Sequence, residues 1–215
     1  MLNLVKLFEM QRQLDEHIEK EHPRKPGEDR LAKKILALQV ELGELANEWR
    51  GFKFWSHDQE PRTIAERGVC VHCAGTGNAF FDDDEEEWED CSYCKGEGEE
   101  IYNPLLEEYV DCLHFILSIG VELGMPHRLL LGNVQRNEML GDDFIALYDE
   151  VHTLYHAYKC AYKCQLNKKF VRGYYESVFE HFLALGERLG FTWEQVEEAY
   201  MKKNAENHSR QERGY

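Results

Sequence analysis

The feature that most constrains this chain is a helical pattern over residues 31–49 with acidic side chains along the edge of its apolar stripe. Apolar residues recur there at three- and four-residue spacing, which predicts a helix with one face in a protein core. Glu41, Glu44 and Glu48 share the adjacent face. An acidic pair three residues apart is by itself typical of a solvated flank, so its meaning depends on a second pair.

A second acidic pair, Glu108 and Asp111, lies on a segment that is apolar on nearly every side. Carboxylates on such a helix are expected to be buried or half-buried, where they need cations or strong donors. Two helices that both present carboxylates inward make a strongly negative site, and Mg²⁺ suits such an oxygen site best. Because Mg²⁺ also takes substrate phosphates as ligands, the pattern predicts a metal-dependent hydrolase or transferase acting on phosphates.

The remaining periodicity predicts an all-α core of five or six helices. The predicted helices cover residues 3–20, 31–49 and 105–123, then a helix capped by Asp142 or Asp143 that runs to about Leu166, then residues 170–189, and a last helix from a capping box at Thr192 towards Asn207. A polar tail is expected after the last helix. Gln11 and Asp15 fall on or beside the buried face of the first helix, where hydrogen bonds between helices would be one way to satisfy them.

Residues 56–104 differ from the rest of the chain in composition. Between Ser56 and Pro104 there are 14 acidic and 3 basic residues, which accounts for −11 of the total charge of −16. An acidic segment is poorly suited to a nucleic-acid backbone, so no nucleic-acid partner is expected. We interpret 56–104 as an insertion between helices, with a helical domain formed by 1–55 and 105–215.

The insertion contains two copies of the pattern Cys-x-x-Cys-x-Gly-x-Gly. The four cysteines are Cys70, Cys73, Cys91 and Cys94. Four thiolates favour one tetrahedral Zn²⁺ with no open position, so the predicted zinc site is structural. The pattern resembles one metal site of the cysteine-rich domain of DnaJ-type chaperones. The role of this module stays open between a dimer arm, a surface for an unknown protein partner and a lid. The other cysteines are predicted to be ordinary buried thiols: Cys112, Cys160 and Cys164.

Nothing in the sequence predicts export or membrane insertion. No apolar run approaches the roughly 20 residues that a bilayer requires. The first residues do not combine a basic region with an apolar core and a cleavage site. Paired Cys-x-x-Cys motifs in such a chain favour metal binding over disulfides, and we expect a cytoplasmic protein without membrane contact.

The two acidic motifs, in this order on all-α helices, resemble the all-α nucleoside triphosphate pyrophosphatases, the superfamily of MazG and the dimeric dUTPases. The C-terminal segment 203–215 is similar to the closing Lys-Asn-x-x-Asn-x-x-Arg-Gln-x-x-Gly-Tyr motif of dimeric dUTPases. The segment Phe52-Lys53-Phe54-Trp55 and the residues around Asp111 fit the same family. The resemblance covers everything except the insertion.

The resemblance implies hydrolysis of dUTP and dUDP to dUMP by metal-activated water, with pyrophosphate released from dUTP. It implies two or more Mg²⁺ ions held by Glu41, Glu44, Glu108 and Asp111, with Glu44 orienting or deprotonating the water. It also implies a homodimer whose sites are completed across the interface. The nucleotide-binding residues implied by the family motifs are Gln11, Asp15, Lys53, Trp55, Lys203, Asn204, Asn207, Arg210 and Tyr215.

Within this implied set, Lys203, Arg210 and Tyr215 would hold phosphates, and Trp55 would line the base pocket. Asp15 departs from the asparagine familiar in several members, and an ionised aspartate only accepts hydrogen bonds. Two alternatives remain. One is a MazG-like pyrophosphatase for another nucleoside triphosphate. The other is a zinc-dependent protein-binding module whose activity would not depend on the acids.

Overall fold

The computed structural model describes residues 4–79, 88–125, 129, 137–164 and 169–214. These residues form six α-helices and one two-stranded antiparallel sheet, which confirms the all-α prediction. The helices are α1 (Leu4–Glu21), α2 (Arg30–Trp49), α3 (Pro104–Leu123), α4 (Leu140–Cys164), α5 (Lys169–Arg188) and α6 (Trp193–Glu212). The strands are β1 (Ala65–Val69) and β2 (Glu99–Tyr102).

Helix α3 is the centre of the fold because it is buried nearly all round and packs against α1, α2, α5 and α6. The Asn103 side chain caps it by accepting the Leu106 N–H at 3.0 Å. Pro104 occupies the first turn, where a missing N–H costs nothing. Gly124 ends the helix in the left-handed conformation, with φ of 66°.

The other helices surround α3 in pairs. α2 lies along α3, α1 and α6 pack against each other and against α3, and α4 and α5 pack together against α2 and α3 respectively. The core where they meet is built from large apolar side chains with little or no exposure. These include Phe8, Leu38, Leu42, Tyr109, Leu113, Leu117, Tyr175, Phe179 and Phe182.

The two strands pair near the two ends of the segment that was predicted to be an insertion. Ala65 pairs with Tyr102 and Glu66 pairs with Ile101, so the chain leaves and re-enters the helical core at neighbouring points. β2 runs directly into the cap of α3. We call β1 and β2 the stem of the insertion.

Two predicted helix boundaries are wrong. α4 begins before Asp142, so Asp142 and Asp143 lie in its first turn instead of capping it. Negative charge is favourable there because it faces the positive end of the helix dipole. The expected polar tail is helical as far as Glu212. Part of this extension is held against α1, where His208 Nδ1 lies 2.9 Å from His17 Nδ1.

The capping box at the start of α6 is confirmed. The Thr192 side chain accepts the Gln195 N–H, and the Gln195 side chain accepts the Thr192 N–H. Among the helices of the described residues, none has an apolar stretch of the length that a bilayer crossing demands.

Candidate active site

Three carboxylates converge where α2 lies against α3. Oxygen atoms of Glu41, Glu108 and Asp111 all lie within 4.8 Å of one another, and all three side chains are half-buried. Glu41 comes from α2, and the other two lie one turn apart on α3. Each acid flanks an apolar stripe, so packing the stripes together brings the acids together. We call these three residues the acid cluster.

Burial and mutual repulsion favour protonation of the acid cluster. Burial, followed by the charges of Asp111 and Glu44, raises the pKa of Glu41 to about 7. Burial and the same two charges raise the pKa of Glu108 to about 7. Burial also raises the pKa of Asp111, although the charge of Lys203 opposes it. Oxygen donors that repel one another at this spacing fit a hard divalent cation, which would displace the protons.

Glu44, the fourth predicted metal ligand, lies at the rim of the acid cluster. It is exposed and stands outside the group of three. Its charge still acts on both Glu41 and Glu108. Glu48 shares the same face of α2 but pairs with Arg62 at 3.2 Å. Glu44 therefore has access to solvent beside the cluster, whereas Glu48 is part of an ion pair.

A third helix, α6, brings basic side chains to the acid cluster. Lys203 Nζ donates to the Asp111 carboxylate at 2.7 Å and to the Glu107 carboxylate at 3.0 Å. The charge of Arg210, about two turns further along, also opposes the rise in the pKa of Asp111. Arg210 donates to Glu206 at 2.6 Å. Two predicted phosphate-binding residues are therefore near the acids.

The other predicted contacts of the C-terminal motif have different surroundings. Asn207 is half-buried and lies between Lys203 and Arg210 on α6. Asn204 is buried, with 6% of its surface exposed. Tyr215 lies outside the described residues.

Gln11 and Asp15 belong to a hydrogen-bonded network inside the helical core. Gln11 Nε2 donates to Asp15 at 2.8 Å. Gln11 Oε1 accepts the Tyr200 hydroxyl at 2.9 Å and lies 2.9 Å from His114 Nδ1. Hydrogen bonds between α1, α3 and α6 therefore satisfy many of the polar atoms of Gln11 and Asp15. This agrees with the expectation that bonds between helices satisfy these residues.

Asp15 also borders a cavity of about 660 Å³ between α1, α2 and α3. Its carboxylate accepts the Ser118 hydroxyl at 2.7 Å and the Lys34 ammonium at 3.0 Å. Phe115 forms part of the cavity wall. Ser118 follows Asp111 by two turns of α3, which is about 10 Å along the helix axis. The cavity thus lies roughly one nucleoside length from the acid cluster.

His114 and Tyr200 contact the predicted site residue Gln11, and the sequence interpretation did not single them out. Their rings stack with centroids 4.1 Å apart. Burial, followed by the charge of Lys203, lowers the pKa of His114 to about 3. The imidazole is therefore neutral and fixes the orientation of Gln11. One signal was available, because His114 follows Asp111 by three residues on the acid-bearing helix.

The segment Phe52-Lys53-Phe54-Trp55 follows α2 and lies largely in solvent. Phe54 is 85% exposed and Trp55 is 65% exposed. The two rings meet edge to face with centroids 5.0 Å apart. Lys53 donates to Asn47 at 2.5 Å. Within one chain, Trp55 therefore does not form the wall of an enclosed pocket.

The four cysteines of the insertion form a compact and buried cluster. Their Sγ atoms all lie within 4.8 Å of one another, and their exposed fractions range from 0% to 7%. The residues are Cys70, Cys73, Cys91 and Cys94. Four sulfur donors at this spacing have the chemistry of a zinc site. We call this group the cysteine cluster.

The two cysteine motifs fold in the same way and interlock. Cys70 N–H donates to Gly98 O at 2.9 Å, and Cys91 N–H donates to Gly77 O at 2.8 Å. Gly77 N–H points at Cys73 Sγ at 3.3 Å, as does Gly98 N–H at Cys94 Sγ. A Cβ atom on Gly77 would stand 2.2 Å from a backbone oxygen of the other motif, so this close approach requires glycine.

The remaining cysteines differ from one another. Cys112 is buried, as predicted. Cys160 and Cys164 are exposed, and their prediction as buried thiols is wrong. They lie on the solvent side of α4, whose core face is formed by residues such as Ala157 and Ala161.

The fold and the acid cluster define a class of protein. Carboxylates from two adjacent helices, half-buried and contacted by a lysine from a third, have the chemistry expected of a cation-dependent enzyme that acts on phosphates.

Comparison with known families identifies the member of that class. A family model described as dUTPase matches residues 3–67 and 86–215. The chain therefore belongs to the all-α dUTPase family, and its activity is that of a dUTP diphosphatase. Membership also implies a divalent cation, which agrees with the oxygen donors of the acid cluster. Neither the curated proteins nor the solved structures gave a match.

Proposed function

We propose that the protein uses Mg²⁺ to hydrolyse dUTP and dUDP to dUMP, with water attacking the α-phosphorus and pyrophosphate leaving from dUTP. The observation that carries the proposal is the meeting of the acid cluster with Lys203 in a chain of the dUTPase family. The acids are suited to hold the cation, and the lysine is suited to hold a phosphate.

Mg²⁺ matches the acid cluster better than a softer metal because every converging donor is a carboxylate oxygen. Glu41, Glu108 and Asp111 would hold it, and Glu44 at the rim offers a donor for a second ion. When bound, Mg²⁺ offsets the negative charge on the phosphate oxygens during the displacement.

Glu44 is our candidate for the residue that orients the attacking water and accepts its proton. The carboxylate is exposed, so it meets solvent, and it lies close enough to Glu41 and Glu108 to raise the pKa of each. A positioned base of this kind contributes about 10²–10⁴-fold to a rate.

Lys203 and Arg210 bind the phosphates in this proposal. If Asp111 held a cation, Lys203 would have one carboxylate partner fewer and could donate to a phosphate oxygen. The planar guanidinium of Arg210 suits two phosphate oxygens at once. Asn204, Asn207 and Tyr215 complete the C-terminal motif, and their roles rest on the family pattern alone.

The cavity beside Asp15 is the place we assign to the base. The Asp15 carboxylate accepts hydrogen bonds, as the N3–H of uracil requires, while the Lys34 ammonium, with three donors, can also donate to a carbonyl oxygen of uracil. Gln11 holds Asp15 in place through the bond at 2.8 Å. In this assignment, the base lies beside Asp15 and Ser118, which also form the hydrogen bond between α1 and α3.

A homodimer would explain the apolar residues that lie in solvent near the acid cluster. On α2, Leu36 is 62% exposed and Val40 is 51% exposed. Phe54 and Trp55 are exposed just beyond the end of the same helix. A second copy covering this face would bury these side chains and would bring its Lys53 and Trp55 towards a nucleotide bound by its partner.

The cysteine cluster holds one structural Zn²⁺ in this proposal. All four positions of a tetrahedral ion are taken by thiolates, so no position is left for chemistry. We accordingly assign residues 1–55 and 105–215 to the catalytic domain and 56–104 to the zinc module.

A panel of nucleotides with Mg²⁺ tests the activity. We expect release of dUMP from dUTP and dUDP, with dTTP, dCTP and UTP turned over far more slowly. Equal turnover of dTTP or dCTP would contradict the uracil preference and favour the MazG-like alternative. No turnover of any nucleotide would favour the protein-binding alternative.

A further inference from the structure

Glu107 connects the active-site lysine to the zinc module. One oxygen of its carboxylate accepts Lys203 Nζ at 3.0 Å, and the other accepts Arg67 Nη2. Lys203 also contacts Asp111 at 2.7 Å. A continuous chain of charges therefore runs from Arg67 through Glu107 and Lys203 to the acid cluster.

Arg67 belongs to β1, and the stem holds it in place. Its guanidinium lies over the Tyr102 ring of β2 at 4.1 Å, a cation–π contact. Its Nη1 lies 3.9 Å from the Glu100 carboxylate. The side chain is 38% exposed, so solvent screens these contacts in part. Two strands thus fix where the guanidinium meets α3.

The zinc module also contacts α6 beside the active-site lysine. Lys202 donates to Glu100 of the stem at 3.0 Å, and its ammonium lies 5.1 Å from the centre of the Tyr93 ring in the second cysteine motif. Lys202 and Lys203 are neighbours in sequence. The module therefore rests on the part of α6 that supplies a phosphate-binding residue.

The cysteine cluster lies at the end of the stem. Cys70 follows β1 directly, and its N–H donates to Gly98 O at 2.9 Å just before β2 begins. A small segment with few apolar residues needs its metal to fold. The geometry of Arg67 accordingly depends on an intact cysteine cluster.

We propose that Arg67 is a positioning residue, through which the zinc-folded stem holds Glu107 and sets Lys203 for the polyphosphate of the substrate. This inference rests on the proposed function. Arg67 neutralises part of the charge of Glu107. The carboxylate therefore attracts Lys203 less strongly and repels the incoming phosphates less. Without Arg67, the uncompensated negative charge of Glu107 lies beside both Lys203 and the substrate phosphates.

The expected effect of losing Arg67 falls on substrate binding. In Arg67→Gln we expect the KM for dUTP to rise by about five-fold, the upper range for one partly exposed ion pair. The kcat should change less than the KM because the acid cluster and Glu44 remain in place. Arg67→Lys retains the charge and should stay within about two-fold of the native KM. Binding of inorganic pyrophosphate, measured by calorimetry, should weaken in parallel with the KM.

Two further measurements connect Arg67 to zinc and to Glu107. Zinc is removed with a chelator, Mg²⁺ is restored, and the KM is measured again. Without zinc, the native protein should show the raised KM of Arg67→Gln. Removing zinc from Arg67→Gln should not raise its KM further. In a Glu107→Gln background, Arg67→Gln should have no effect on the KM. Zinc content and circular dichroism confirm that each variant is folded.

Arg172→Gln is the matched control. Arg172 lies on α5, contacts Glu176 at 2.9 Å and is 32% exposed, close to the exposure of Arg67. Its KM and kcat should equal those of the native protein. An unchanged KM in Arg67→Gln, or the same rise in a Glu107→Gln background, would overturn the inference. Failure of the proposed function would look different, because the native protein itself would then not hydrolyse dUTP.

Discussion

The molecule contains two clusters of side chains with the chemistry of metal ligands, and they are built in opposite ways. The cysteine cluster is almost fully buried, and its four ligands come from two short motifs joined by their own backbone hydrogen bonds. The acid cluster is half-buried, and its ligands come from two helices that are far apart in sequence. The cysteine cluster depends on local backbone geometry, and the acid cluster depends on the packing of the whole helical core.

This difference corresponds to what each cluster can do. Four thiolates would fill every position of a tetrahedral ion, so the proposed role of the cysteine cluster is structural. Three carboxylates would leave positions on a Mg²⁺ ion for water and phosphate, and Glu44 and Lys203 lie beside the acid cluster. A charged substrate must reach the cation and bind to it directly. The half-exposed acid cluster, with only three carboxylates, would allow this.

The largest expected effect is on turnover when the rim of the acid cluster loses its base. Glu44→Gln should lower kcat by about 10²–10⁴-fold because the amide cannot accept a proton from water. The melting temperature should hardly change, since the side chain is exposed. Glu48→Gln is the control, because Glu48 shares the face of α2 but pairs with Arg62. If Glu44→Gln kept more than a tenth of the native kcat, Glu44 would not be the base.

The next effect concerns the cysteine cluster and should leave the helical core folded. Cys73→Ser should reduce the zinc content from one ion per chain to none and unfold the module, because metal binding and folding are coupled. Hydrogen exchange should show lost protection in β1 and β2, with protection of α3 retained. Cys160→Ser, at an exposed cysteine on α4, should keep its zinc. Full protection of the stem without zinc would show that the module folds unaided.

The third effect is a pH dependence of Mg²⁺ binding to the acid cluster, which changes an affinity and leaves the fold and the catalytic residues intact. The pKa values of Glu41 and Glu108 are raised to about 7, so both are largely protonated at pH 6 and ionised at pH 8. Mg²⁺ binds the ionised form, so its apparent affinity should increase as the pH rises through 7, by at most about ten-fold per unit for each proton displaced.

Calorimetry in two buffers with different ionisation enthalpies measures the protons released. We expect Mg²⁺ binding to release protons at pH 6 and to release few protons at pH 8.5. Glu41→Gln should release fewer protons at pH 6, although it also binds Mg²⁺ more weakly. An affinity that is constant from pH 6 to pH 8 would mean that the acid cluster is already ionised without a cation.

The convergence of the acid cluster could be predicted from the sequence because its cause is visible there. Glu41 and Glu108 each flank an apolar stripe, and two stripes that pack together bring their flanks together. The cysteine cluster could be predicted for a different reason, since the repeated spacing of its cysteines and glycines fixes a local fold. In both cases the pattern along the chain is enough to specify the contact.

The contacts between separate units could not be predicted in this way. Arg67 reaches Glu107 only because the stem leans against α3 and α6, and no spacing in the sequence records that orientation. The exposure of Trp55 likewise depends on what lies beyond the end of α2. The helical extension of α6 past Asn207 depends on a contact with α1, through His208 and His17.

The pairing of Ala65 with Tyr102 has a consequence for how this protein can vary. Because the two ends of the insertion are neighbours in one antiparallel ladder, the chain beyond them can lengthen, shorten or be exchanged without moving α2 or α3. The match to the dUTPase family stops at residue 67 and resumes at residue 86, so the unmatched residues 68–85 include the first cysteine motif, while the second motif and β2 lie within the match. A change in the unmatched residues would therefore leave Arg67 on its strand, where it contacts Glu107.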